Sequence, residues 1–338
     1  MTGKGTTLKG KSSIPRLLVL SGLGLTLVLI PAMQSHAAGE ELAPRELVQR
    51  HLKSIAPLDR LKERRVFAVQ GKCEYRLLAG GVLTAPGMAQ LTSKGKAYNI
   101  LFDFPAGEYG GTQYVTDGTR TNIAYTSGGQ VNPLWIFLEG QDVLLREGLL
   151  GGELTTAWAL LDVKGRKPRL KYRGIQEIDG RKVHRLDYRI RKGGGDLTCR
   201  LYFDAETYHH VLSTYEVKVS APMGATPEES ARQRVTRTRL EERFADFKDL
   251  DGYTLPTTWT VRYFRSTNDA DINPLGSGLD PNVRGLLGGA STSPGPDLIN
   301  KGAPTGGTIL LQWKTTIARS AKNEVIPPGM LQKLLKID

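Results

Sequence analysis

Leu170-Lys171-Tyr172-Arg173-Gly174-Ile175-Gln176-Glu177-Ile178 runs into Asp179-Gly180 and returns as Lys182-Val183-His184-Arg185-Leu186-Asp187-Tyr188-Arg189-Ile190. The returning half alternates strictly: His184, Leu186, Tyr188 and Ile190 share one side, and Arg185, Asp187 and Arg189 share the other. A period of two describes a strand with one buried face. Asp-Gly between two such runs marks a tight hairpin, because both turn positions need a positive φ. The device recurs along the chain. Asp117-Gly118 separates Gln113–Thr116 from Thr119–Tyr125, and Gly193-Gly194-Gly195 turns the chain into 196–203. Asp204-Ala205-Glu206-Thr207 joins that strand to 209–219, and Asp251-Gly252 joins 234–247 to 253–264. Short connections without helix-length crossovers predict an antiparallel meander.

Outward from this centre, the apolar faces can be named. Residues 64–78 put Phe67, Val69, Gly71, Cys73 and Tyr75 on one side. Tyr98, Ile100, Phe102 and Phe104 form a second face that is wholly apolar and large, and Ile309, Leu311, Trp313, Thr315 and Ile317 form a third. Residues 41–56 have helical spacing in Leu47, Val48, Leu52 and Ile55, with Pro44 in the first turn and Pro57 as a stop. Between residues 131 and 162 the alternation is lost. Asn132-Pro133 is a helix start, with Asn as cap and Pro at the first helical position. Leucines and Trp158 follow, interrupted at Gly140, Gly148 and Gly151-Gly152, which predicts two or three short apolar helices. A sheet with a large apolar face must be covered, and this jointed segment is the natural cover.

At the N-terminus Lys4, Lys9, Lys11 and Arg16 precede the fourteen-residue apolar run Leu17–Ile30, then Pro31 and Ser35-His36-Ala37. This is the layout of a cleavable export signal, residues 1–37, and places the mature chain 38–338 outside an inner membrane, in a periplasm. Gly5-Thr6-Thr7-Leu8-Lys9-Gly10-Lys11-Ser12 matches a phosphate-loop pattern, but no strand precedes it and the export segment follows, so nucleotide binding is rejected. Loss of those four cations takes the net charge from +12 to +8. The cations are scattered along strands, which reads as solvated outer faces, although anionic headgroups or wall polymers are partners open to such a protein. Nucleic acid is not expected. Residues 266–307, with nine Gly and five Pro, read as a long loop. Met330–Leu335, after Pro327-Pro328, reads as a short terminal helix or tail.

Chemistry is sparse. Cys73 and Cys199 lie on apolar faces, and either a disulfide or two buried thiols is compatible with an exported chain. His184 reads as a hydrogen-bonded core histidine, and the adjacent His209 and His210 point to opposite faces of a strand. Asp249-Leu250-Asp251-Gly252 is a turn rather than half of a calcium loop, since Thr258 stands where the twelfth-position Glu is required. Glu241-Glu242 alternates across a strand and is expected to be solvated on at least one side. No metal site, cofactor site or catalytic set is predicted, which favours binding over catalysis.

Certain motifs carry a family resemblance. They are Arg146-Glu147-Gly148-Leu149-Leu150-Gly151-Gly152 with Trp158-Ala159-Leu160-Leu161, Gly174–Arg181, Leu201–Thr207, and Phe247–Gly252 with Leu255-Pro256. In this order, over most of residues 40–264, the chain resembles the LolA/LolB-like lipoprotein-carrier superfamily, and more closely acidobacterial-type outer-membrane lipoprotein-sorting homologues. The resemblance implies a mainly β (α+β) fold: one antiparallel half-open β-barrel covered by short lid helices, with a cavity for acyl chains. It implies a non-enzymatic periplasmic carrier or chaperone for lipoprotein acyl chains or other lipids, in peripheral membrane contact and working with inner- and outer-membrane sorting proteins. That family uses a barrel arginine to hold its lid, and no arginine here is assigned the role. Parity selects Leu134, Trp135, Phe137, Leu138, Leu145, Leu149 and Trp158 for the lid. For the concave side it selects Phe67, Val69, Tyr98, Ile100, Phe102, Leu186, Tyr188, Trp259 and Trp313. The competing readings are an ordinary covered sheet with no cavity, an envelope-stress sensor on the same scaffold, and an envelope glycan- or lipid-modifying enzyme.

Overall fold

The computed structural model describes residues 42–63, 66–78, 83–105, 111–125, 132–219, 236–267 and 308–322. Residues 1–37, read as an export signal, almost all of 266–307 and the stretch after Pro327 lie outside the described residues. Helix α1 (Pro44–Ile55) starts on Pro44 as the sequence predicts and buries Leu47, Val48, His51 and Ile55. A short α2 (Leu58–Glu63) follows. The strands are β1 (Val66–Leu77), β2 (Leu83–Lys94), β3 (Ala97–Asp103), β4 (Thr112–Thr116), β5 (Thr121–Tyr125), β6 (Arg169–Ile178), β7 (Arg181–Arg189), β8 (Thr198–Asp204), β9 (His210–Val219), β10 (Thr236–Leu250), β11 (Tyr253–Thr267) and β12 (Thr308–Lys322). The cover between β5 and β6 contains α3 (Pro133–Gly140), α4 (Val143–Arg146), 3-10 turns at Gly152–Leu154 and Ala159–Asp162, and α5 (Val163–Arg166). It is thus divided more finely than the two or three helices expected. Among the described residues no helix is long and apolar enough to cross a membrane.

All twelve strands join one open sheet in the order β5-β4-β3-β2-β1-β12-β11-β10-β9-β8-β7-β6. The pairings are antiparallel, and β12 enters between β1 and β11 to unite the two halves of the chain. The Asp-Gly turns are as read: Asp179 and Gly180 have φ of 53° and 74°, and Asp251 and Gly252 have 55° and 76°. At Asp117-Gly118 the turn is longer than expected, and β5 starts at Thr121 rather than Thr119. There Asp117 Oδ1 accepts from the N–H groups of Thr119 and Arg120, at 2.6 and 2.7 Å, which commits both residues to the loop.

The sheet curls tightly. Phe102 on β3 and Trp259 on β11 are four strand steps apart, about 19 Å in a flat sheet at ~4.8 Å per step. Their rings nevertheless stack at 5.7 Å. Register breaks at Gln70/Gly71 against β12 and at Tyr263/Phe264 add bend where the halves meet. The concave face, α1 and the cover share one hydrophobic core. A second, small cluster of Val183, Tyr202 and Leu212 lies on the convex side.

Candidate functional site: the roofed concave face

The cover begins where the sequence says. Asn132 Oδ1 accepts from Trp135 N–H at 2.8 Å, and Asn132 Nδ2 donates to Thr112 Oγ1 at 3.0 Å, which fastens the helix start to β4. The cover then turns Leu134, Phe137, Leu138, Leu145, Leu149 and Trp158 onto the sheet, each buried. On the sheet, Phe67, Val69, Tyr98, Ile100, Phe102, Leu186, Tyr188 and Trp259 are all 1% exposed or less and belong to the same core. Trp135 does not join them. It is half-buried on the outer side, stacked on Tyr125 at 4.1 Å, because helical spacing turns it away from Leu134 and Leu138. Trp313 lies on β12 in register with Tyr75 and Val261, and its side chain is outside the described part. Cys73 and Cys199 are buried free thiols, so of the two alternatives the structure has the unbonded one. Burial pushes both thiols up to about 12.

The cover lies directly on the sheet because glycine allows it. A Cβ on Gly151 would stand 3.1 Å from Leu91, and one on Gly152 3.1 Å from both His210 and Phe244. Leu91 is on β2, His210 on β9 and Phe244 on β10, so this glycine pair touches both limbs of the curled sheet. Described residues line depressions on the other side of the sheet and at its edge. One of ≈ 250 Å³ adjoins the convex cluster, one of ≈ 440 Å³ follows the β6 edge, and neither lies between cover and sheet.

A few polar ties hold the cover. Glu242 on β10 projects into the core, 0% exposed. Its Oε1 accepts from Gly151 N–H at 2.7 Å and from Trp259 Nε1 at 2.9 Å. Its Oε2 lies 2.8 Å from Tyr215 Oη, which is also 2.8 Å from Leu149 O. Burial raises its carboxyl to about 7, and the donors from Gly151, Tyr215 and Trp259 only partly offset that. The expectation that Glu241-Glu242 would be solvated is therefore wrong. The sequence signal was present: Glu242 shares parity with Leu240 and Phe244, both buried. Glu241, on the other face, is equally buried, beneath Arg243 at 2.5 Å and Arg262 at 3.6 Å.

A second tie joins α1 to the cover. Trp158 Nε1 donates to His51 Nε2 at 3.0 Å, which leaves the His51 proton on Nδ1, 3.1 Å from Tyr208 O. Burial pushes His51 down to about 3, so its 3.6 Å approach to Glu153 is not an ion pair at neutral pH. Thr156 N–H donates to Ser93 Oγ at 2.9 Å, a tie to β2. Inside the cover, Arg166 donates to the carbonyls of Arg146 and Ala157 at 3.0 and 3.1 Å and stabilises its fold-back. His184 hydrogen-bonds Tyr172 at 2.9 Å, as a core histidine should. His210 is buried and stacks on Trp158, whereas His209 stacks on Phe247, the opposite-facing pair expected.

Chemically this is a seating arrangement. The Ser213 hydroxyl is 2.8 Å from His210 Nε2, but both residues are 0% exposed, and His210 Nδ1 has no hydrogen-bond partner to orient it. Burial holds that imidazole well below its ordinary range, which makes it a poor base.

No family model matches the chain, and a search of curated proteins gives no match. Among solved structures the chain is similar to the LolA superfamily protein NE2245 from Nitrosomonas europaea. The identity is 10%, covering 83% of this chain and 94% of that one, with a TM-score of 0.38. It is also similar to a putative outer membrane lipoprotein-sorting protein domain from Vibrio parahaemolyticus, at 9% identity, 86% and 96% coverage and a TM-score of 0.36. A DUF1329 family protein from Desulfovibrio piger gives 9%, 86% and 97%, and 0.37. Likenesses of this size carry no argument about ligand or activity.

Proposed function

We propose that this chain is a periplasmic binding protein for the acyl chains of lipoproteins or lipids, taking its guest between the cover and the concave face. Residues 1–37 act as the export signal, and the remainder works as one domain. The observation that carries this reading is a concave face lined chiefly by buried apolar side chains, under a roof that is segmented and fastened by separate polar ties. A guest that replaces the roof leucines keeps the concave face dry, so opening loses chiefly those ties, each about 1 kcal/mol. An acyl chain of a dozen methylenes contributes about 10 kcal/mol on burial. The gain is of the size needed to offset the ties that open.

The test is native mass spectrometry after gentle extraction, together with displacement of a fluorescent fatty acid by lipid. Copurified lipid and competitive displacement support the proposal. A bare polypeptide mass with no probe uptake rejects it. The close seating of roof on sheet favours a second reading, a regulator that binds an envelope protein with its interior shut. That reading expects a stoichiometric protein complex and no lipid in the same spectra.

A further inference from the structure

On the convex face, arginines and carboxylates pair in several places. Arg200 lies 3.1 Å from Glu216, Arg243 and Arg262 share Glu241, and Arg173 and Arg185 share Asp187 at 2.6 and 2.8 Å. At the open end of the β6–β7 hairpin, where Arg169 faces Arg189, no such pair forms among the described residues. Among the described residues Arg169, Lys171 and Arg189 have no carboxylate partner, and all three are exposed. Arg169 and Arg189 stand directly opposite each other in the register. Like charges in that position destabilise a sheet, so the pair is a local liability unless an anion lies between them.

These three cations line the ≈ 440 Å³ groove, together with Arg173, Asp187 and Asp196. Asp187 is already engaged by two arginines, and four cations (Arg169, Lys171, Arg173 and Arg189) against two carboxylates (Asp187 and Asp196) leave the trough net positive. Guanidinium forks match the oxygens of a phosphoryl group in pairs. We propose that this groove is a binding site for a phosphate ester, held by Arg169, Arg189 and Lys171. The ester is either the headgroup of an anionic lipid or a soluble molecule, and the phosphoryl chemistry is common to both. The site is independent of the roofed face, and its ligand need not enter the core.

The test compares the full chain with an Arg169→Ala/Arg189→Ala double variant and with a Lys72→Ala/Lys94→Ala control, which removes the same charge elsewhere. Calorimetric titration with glycerol 3-phosphate, and flotation with phosphatidylglycerol against phosphatidylcholine vesicles, read the two sources. At least tenfold weaker binding in the double variant alone is expected, with an unliganded Tm unchanged or raised because the like-charge pair is gone. Loss confined to vesicles assigns the headgroup, and loss confined to the titration assigns a soluble ester. No binding by the unmodified chain, or equal loss in the control, overturns the proposal.

Discussion

Replacement of Glu242 by Gln tests the roof fastening directly. In the folded chain this carboxyl titrates at about 7, against an ordinary 4.5. A raised folded pKa means that folding tightens proton binding. Below about pH 4.5 both states carry the proton, and the stabilisation is fully present. Between about 4.5 and 7 the unfolded chain releases its proton first, and stability falls by about 1.4 kcal/mol per pH unit. Above 7 a charge lies buried without a cation among its hydrogen-bond partners, and about 3 kcal/mol has been lost. The geometry agrees. Tyr215 has one hydroxyl hydrogen for two acceptors at 2.8 Å. A protonated Glu242 donates to Tyr215, and Tyr215 then donates to Leu149 O, so the chain of bonds from sheet to roof is complete. Urea unfolding of both chains from pH 4.5 to 8 is the assay. His51 and His210 give a slope of the opposite sign, since burial lowers both, and they cancel in the difference between chains. The stability difference, unmodified minus variant, is expected to fall by about 3 kcal/mol across this range. A difference constant to within about 0.5 kcal/mol, well under half a unit of pKa shift, would refute the buried-acid account.

Other outcomes follow from the same packing. Gly148 and Gly174 both have positive φ, 67° and 80°, but a Cβ on Gly148 would stand 1.9 Å from Ala157 O while Gly174 has open space. Thermal unfolding should therefore show Gly174→Ala losing about 1 kcal/mol and Gly148→Ala at least about 3 kcal/mol. Leu149→Ala, at a fully buried roof position, should lose about 2–5 kcal/mol by urea unfolding. Nuclear magnetic resonance titration should find the His51 imidazole neutral until about pH 3. Its contribution to stability, complete above the unfolded-state value of 6.5, should be lost as pH falls from there. Cys73 and Cys199 should ignore a thiol reagent at pH 8 in the folded chain and both react in urea.

The meander was legible because strand parity and Asp-Gly turns are local: Phe67 to Tyr75, Leu197 to Phe203 and both type I′ turns need only neighbours along the chain. The roof's start was legible for the same reason, since an Asn cap and Pro at the first helical position act within one turn. Trp135 was misjudged because a count of apolar residues ignores the face a helix turns away. Glu242 and His51 were missed as fastenings of the roof because their partners lie far off in sequence: Gly151 is 91 residues from Glu242, and Trp158 is 107 from His51.

The amino-acid order by itself determined an antiparallel chain of hairpins, one apolar side to that sheet, and a jointed apolar segment suited to cover it. Only the tertiary structure decided the insertion of β12 between β1 and β11, the tightness of the curl and the burial of an acid against the roof backbone. These depend on contacts between distant residues: parity with Leu240 and Phe244 turns Glu242 to the apolar side, but it is the roof folding over that side that takes the carboxyl out of water.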